Sequence, residues 1–234
     1  YRDAGARVPA EREPAGRFVV SLAPEDAGKK IDVVAVDTHT GRMAAQPLVV
    51  PHIARVAFAD TAGHWAEEFI QTLGAQGILQ GYPDGSFRPA KPVTRAEFVV
   101  VTVRALGWRV QPGAEPVFRD ASAIPPWARP YIAAAQENGL INGDGETFRP
   151  QAFVTRAEAT SLLVRLMDRL AAGLPPPAEL TCRDRSAIPA WAREDVARAY
   201  GAGLVRGLPD GRFAPASPLT RAEAAALVYR VINR

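Results

Sequence analysis

The tetrapeptide Thr94-Arg95-Ala96-Glu97 returns as Thr155-Arg156-Ala157-Glu158 and as Thr220-Arg221-Ala222-Glu223, at separations of 61 and 65 residues. Outward from it, each copy is preceded by the same markers. A Trp-Ala pair stands at Trp65, Trp127 and Trp191, and 12 positions later comes a glycine followed by Ile or Leu, at Gly77, Gly139 and Gly203. Four residues on lie Gly81, Gly143 and Gly207, then Asp-Gly pairs at Asp84, Asp144 and Asp210, then Phe87, Phe148 and Phe213. So many spaced matches in triplicate establish an internal repeat, and a repeat of this length is one supersecondary unit packed on its neighbours.

Each repeat reads as helix, turn, short extended piece, helix. Trp65, Phe69, Ile70, Leu73 and Ile78 recur at helical spacing, and Gly77 sits where a left-handed cap ends a helix. The second helix starts at the tetrapeptide, whose Thr-x-x-Glu spacing is a capping box: Thr94, Thr155 and Thr220 each accept from a backbone N–H, and Glu97, Glu158 and Glu223 reach back. That helix is apolar round much of its circumference, as in Leu162, Leu163, Leu166 and Met167, so it is buried among other elements. Three such helices burying one another predict a mainly α fold with a central three-helix bundle and pseudo-threefold symmetry. Repeat two is one residue shorter, with Gly143-Asp144-Gly145 where repeat one has Gly81-Tyr82-Pro83-Asp84-Gly85, so its loop differs in shape.

Capping does not explain the arginine. Arg95, Arg156 and Arg221 fall at the first helical position, where the helix dipole disfavours a cation. A guanidinium converging with free N–H groups makes an anion site suited to a carboxylate; the competing roles are a structural ion pair or a solvated side chain. Trp65, Trp127 and Trp191 have two readings, core packing or stacking on a sugar face with the indole N–H donating to a hydroxyl. The Asp-Gly pairs are first of all tight turns, and backbone groups near Gly81, Gly143 and Gly207 lie close enough in sequence to the arginines to touch the same ligand.

Composition narrows the rest. The 28 basic and 25 acidic residues are interspersed, with net charge +3, which mildly favours anionic partners but lacks the basic run of a nucleic-acid arm. No stretch approaches a membrane span. Cys182 is the one cysteine, so no intrachain disulfide forms, and it reads as a small buried apolar residue. His39, His52 and His64 show no metal-ligand pattern. Asn142 to Glu146 lacks the alternating acids of a calcium loop, and no phosphate loop, nucleophile elbow or triad is present. No cofactor is expected.

Five segments follow. Residues 1–16 are polar and rich in Pro, Ala and Arg; 17–56 carry strand-like runs at 18–22, 31–36 and 47–50 with turn signals at 24–29 and 40–42; repeats occupy 57–110, 111–174 and 175–234, the last two separated by a proline-rich spacer. Two or three strands alone are marginal, so the β segment reads as the end of an upstream β-domain or an appendage. The start at Tyr1 rather than Met suits the C-terminal part of a longer, exported product.

The pattern Phe58-x-Asp60, His64-Trp65-Ala66, Gly77-Ile78-Leu79-x-Gly81-Tyr82-Pro83-Asp84-Gly85-Ser86-Phe87-Arg88-Pro89, Val93-Thr94-Arg95-Ala96-Glu97 resembles the surface-layer homology (SLH) repeat. The resemblance covers about three quarters of the chain. It implies a three-pronged spindle around a central helical bundle, an extracellular, non-catalytic module at the cell wall, and a secondary cell-wall polysaccharide bearing pyruvate ketals, linked to peptidoglycan, as partner. A ketal carboxylate is the anion that Arg95, Arg156 and Arg221 would meet. Repeat three departs most: Cys182 replaces the opening Phe, Asp195 stands where Phe69 and Tyr131 stand, and Ala214 replaces Arg88 and Arg149. Arg95 and Arg156 are therefore expected to matter more than Arg221. The alternatives are that the module is the anchoring end of an exported polysaccharide-degrading enzyme, or of a lattice-forming surface-layer protein.

Overall fold

The computed structural model describes residues 56–141, 147–170 and 173–233, together with the backbone of four short strands nearer the N-terminus. The chain forms two compact units, residues 1–54 and 55–234. In the first, β1 (Glu11–Arg12) pairs antiparallel with β2 (Phe18–Val19) and β3 (Lys30–Val36) with β4 (Met43–Val49), Ile31 opposite Leu48 and Val36 opposite Met43. Strand β4 begins four residues before the run visible in the sequence, because Met43-Ala44-Ala45-Gln46 has no β-branched residue to signal extended backbone. The turn segments 24–29 and 40–42 lie outside the described residues.

The second unit is helical: α1 (Glu67–Ala75), α2 (Arg95–Ala105), α3 (Arg129–Glu137), α4 (Arg156–Arg169), α5 (Ala190–Gly201) and α6 (Arg221–Ile232). Helices α2, α4 and α6 start at complete capping boxes. In each the Thr hydroxyl accepts from the Glu backbone N–H at 3.2 Å, and the Glu carboxylate accepts from the Thr N–H at 2.8 Å. Gly77, Gly139 and Gly203 have φ of 71°, 60° and 70°, the left-handed turn that closes α1, α3 and α5. The tryptophans do not belong to the apolar face. Trp65 precedes α1, and Trp65, Trp127 and Trp191 are 60%, 52% and 56% exposed, because the local core is already filled by residues such as Ile70 and Leu73.

Repeats interlock in a cycle. Val93 N–H donates to Leu219 at 2.9 Å, Leu219 N–H to Val154 at 2.8 Å, and Val154 N–H back to Val93 at 3.0 Å, closing a three-membered ring of backbone hydrogen bonds. The first helix of each repeat packs on the second helix of another: α3 on α2, α5 on α4, and α1 on α6. The helix starts are joined the same way. Arg95 and Ala96 N–H groups donate to Ala152 and Pro150, those of Arg156 and Ala157 to Ser217 and Pro215, and those of Arg221 and Ala222 to Lys91 and Pro89. Together with the capping box these bonds satisfy the first four N–H groups of α2, α4 and α6. The free N–H groups expected from the sequence are thus occupied by the neighbouring repeat.

An aspartate sets each loop. Asp60 accepts from the N–H groups of Phe87 and Arg88, Asp120 from those of Phe148 and Arg149, and Asp184 from those of Phe213 and Ala214, at 2.7–2.8 Å. The clamp drives Phe87, Phe148 and Phe213 into the core, where each is at most 1% exposed; truncating one to Ala costs about 3–5 kcal/mol in such sites. It also holds Arg88, Arg149 and Ala214 at φ of 58°, 57° and 57°, a left-handed conformation that non-glycine residues enter at a cost.

Candidate functional site

Each motif arginine reaches into another repeat. Arg95 donates from Nε to the Phe148 carbonyl at 2.8 Å and from Nη1 to Glu158 at 3.1 Å. Arg156 donates to the Phe213 carbonyl at 2.8 Å, to Glu223 at 2.6 Å and to the Arg206 carbonyl at 3.3 Å, and is only 8% exposed. Arg221 donates to the carbonyls of Phe87 and Gln80, both at 2.7 Å, with its guanidinium 4.3 Å from the Phe87 ring centre. Among the described residues no carboxylate pairs with it within 4 Å, and burial pulls its pKa below the ordinary arginine value. The arginines therefore tie helix starts to the loops of other repeats, Arg95 and Arg156 with an ion pair each and Arg221 through carbonyls.

The loop residues divide by what they touch. Asp84 accepts from the Ser86 hydroxyl at 2.6 Å and from Arg88 at 2.8 Å, which hold its carboxyl well below the usual range. Asp210 is held down in the same way by Arg212, which donates to it at 2.7 Å. Both carboxylates serve their own turns. Gly81 is required by packing, since a Cβ there would lie 2.3 Å from the Phe58 ring. Gly143 and Asp144 lie outside the described residues.

Five of the sequence-predicted residues come together. A groove of about 450 Å³ is lined by Trp65 and His64 of repeat one, Arg156 of repeat two, and Gly207, Thr220, Glu223, Arg206 and Arg230 of repeat three. Arg95, Arg221, Trp127, Trp191, Gly81, Asp84 and Asp210 do not line it, nor does Asp195. Glu223 is the one carboxylate of the lining, and its oxygens are occupied by Arg156 and by the N–H and hydroxyl of Thr220. Arg230 donates to the Leu204 carbonyl at 3.0 Å; burial, then the nearby charges of Arg206 and Arg156, lower its pKa. The groove is a positive cleft with an exposed indole on one wall.

Sequence reading passed over Arg206, Arg230 and His64 as groove residues. A signal for Arg230 was present: arginine stands ten residues after the motif threonine in all three repeats, at Arg104, Arg165 and Arg230. Arg206 has no such signal, because Gln80 and Asn142 hold the equivalent places. Among the described residues no cluster of His, Cys, Asp or Glu has metal-ligand grouping, and no helix is long and apolar enough to cross a membrane.

The family model described as the S-layer homology domain matches residues 57–99, 117–160 and 183–225. The chain belongs to the S-layer homology family. Domains of this family anchor surface-layer proteins and cell-surface enzymes to the cell wall, outside the cell. The chain is 34% identical over 180 residues to the exoglucanase XynX of Acetivibrio thermocellus, covering 76% of this chain and 16% of that protein. It is 35% identical over 178 residues to the amylopullulanase of Thermoanaerobacterium thermosulfurigenes, covering 76% of this chain and 10% of that one. Similarity to the S-layer protein EA1 of Bacillus anthracis is 32% over 200 residues, 83% of this chain and 22% of the relative. The chain thus spans between a tenth and about a fifth of the length of these relatives.

Proposed function

We propose that the groove between the three repeats binds an acidic cell-wall polysaccharide, with a pyruvate ketal as the acidic substituent, and that the three repeats form a three-pronged, non-catalytic anchor. The observation that carries this is the charge imbalance of the groove: Arg156, Arg206 and Arg230 face a single carboxylate, Glu223, already engaged by Arg156. A ketal carboxylate supplies the missing charge to the guanidinium of Arg230, and Trp65 offers a face for the C–H groups of the sugar ring. The volume lies in the range of pockets that enclose small ligands. Arg156 and Arg221 also act on the ligand through the repeat-three and repeat-one loops they hold, which border the groove, whereas Arg95 holds a loop outside it. The relatives include two enzymes and a surface-layer protein, so the module is the anchoring end of a larger surface protein whose remaining domains supply its activity.

The purified chain is expected to sediment with native wall sacculi and to lose most of that binding once mild acid has removed the ketals, with Trp65→Ala lowering retention about tenfold. Equal retention before and after acid treatment refutes the acidic ligand.

A further inference from the structure

Arg206 is the feature of the groove that the other repeats do not share. It follows Val205, whose N–H donates to the Ala199 carbonyl of α5 at 3.4 Å, and its own carbonyl accepts from Arg156 at 3.3 Å, which fixes the backbone beside the groove. Its side chain is exposed and, among the described residues, has no carboxylate partner. Arg230 also lacks one, because the only acid of the lining is held by Arg156 and Thr220. Two unneutralised guanidiniums on one groove repel each other when it is empty, and a single carboxylate removes only part of that repulsion. The equivalent positions Gln80 and Asn142 are neutral, so a cation at this position is particular to repeat three.

Resting on the glycan reading above, we propose that this groove takes a saccharide with two acidic groups, the ketal carboxylate facing Arg230 and a second acidic group on the neighbouring sugar facing Arg206. Arg206 is then the specificity-determining residue for the second charge. Carboxylate and phosphate both fit a planar guanidinium fork, and both are chemically available on a sugar, as a uronic acid or as a phosphomonoester.

Calorimetric titration of the full chain with three synthetic disaccharides tests this: one with a single pyruvate ketal, one with the ketal and a neighbouring uronic acid, and one with the ketal and a neighbouring phosphate. The chain is expected to bind at least one doubly acidic probe about tenfold or more tighter than the singly acidic one. Arg206→Gln, which copies repeat one, should cut that preference to about threefold or less while the melting temperature stays unchanged. The uronic and phosphate arms identify the group preferred. No preference in the wild-type chain, or a preference that Arg206→Gln leaves intact, overturns the second acidic group but not the acidic-glycan reading. Failure of all three probes to bind overturns both.

Discussion

In repeat one Phe58 lies against Phe87 with ring centroids 5.3 Å apart, and Gly74 of α1 leaves room for it, a Cβ there meeting the ring at 3.4 Å. In repeat three the ring against Phe213 comes from the other side: Tyr200, which occupies the place of Gly74 on α5, stands 6.0 Å from Phe213, and the opening position has shrunk to Cys182. The bulk has moved from loop to helix while the core stays filled, as close packing demands. The comparison explains the lone cysteine by volume. Its thiol is buried and burial, with Asp184 beside it, pushes its pKa up, the opposite of what a reactive thiol needs.

The arginines holding the two loops differ too, and the largest expected effect comes from them. Arg156 holds the repeat-three loop and pairs with Glu223, their side chains only 10% and 18% exposed. Arg221 holds the repeat-one loop through two carbonyls and its stack on the Phe87 ring, with no carboxylate partner among the described residues. Breaking a buried pair strands its partner, so Arg156→Ala should cost about 3–5 kcal/mol in urea unfolding, whereas Arg221→Ala should cost about 1–3 kcal/mol from its lost hydrogen bonds. Equal losses would mean that the carboxylate adds nothing and that the two loops are held alike. On the sequence alone each side chain read as an anion site, an ion pair or a solvated group; their partners lie 57 and 134 residues away, beyond any local pattern.

Next in size is the exchange of bulk itself. Cys182→Phe adds a ring where Tyr200 already fills the space, and overpacking of this kind costs about 1–3 kcal/mol. Adding Tyr200→Gly to the same chain recreates the repeat-one arrangement and should recover part of the loss. A double-mutant cycle with no coupling between the two positions would break the comparison.

What the sequence made legible was local. Capping boxes, left-handed glycines and Asp-Gly turns each depend on residues within a few positions of one another, and all three repeats print them. The cyclic exchange, with α1 on α6, was not legible, because three similar helix pairs are compatible with packing inside a repeat or between repeats. The groove was half legible: Trp65, Arg156 and Gly207 stand in the motif, but Arg206 and Arg230 become meaningful only when three repeats surround one cleft. Asp60 stood in the quoted pattern without a role, and Asp120 and Asp184 hold its place in the other repeats; their partners lie 27 to 30 residues on.

A smaller effect concerns acid. Burial opposes ionisation of Asp60 and Asp184, but the backbone N–H groups they accept from outweigh it, and both carboxyls titrate below the ordinary value. A carboxyl depressed in the folded state contributes stability that is complete above its unfolded value, about 3.9, and is lost as the pH falls through its folded value. The neighbours differ: Asp84 raises Asp60, whereas Arg212 lowers Asp184. On acidification both clamps should therefore protonate only below the ordinary aspartate range, as carboxyl carbon shifts in an NMR titration will show, and stability should fall with them. A clamp carboxyl that titrates at or above about 3.9 would remove the electrostatic part of the clamp.

The smallest effect separates the two strained loop residues. Ala214 and Arg88 share a left-handed backbone, with φ of 57° and 58°, and glycine enters that region without the clash a Cβ creates. Ala214→Gly keeps the N–H bond to Asp184 at 2.8 Å and loses one buried methyl, so relief of about 1 kcal/mol is largely offset by lost burial of about 0.8 kcal/mol and by the entropy of glycine. The melting temperature should move by no more than about 2 °C. Arg88→Gly gains the same relief but removes the ion pair to Asp84 at 2.8 Å and the guanidinium stacked 4.0 Å from the Tyr82 ring centre, and it releases the repeat-one loop from both. It should melt below Ala214→Gly when each is compared with the wild-type chain. If Arg88→Gly melts as high or higher, the arginine contributes nothing to its loop, and the replacement of Arg88 by Ala214 in repeat three carries no structural consequence.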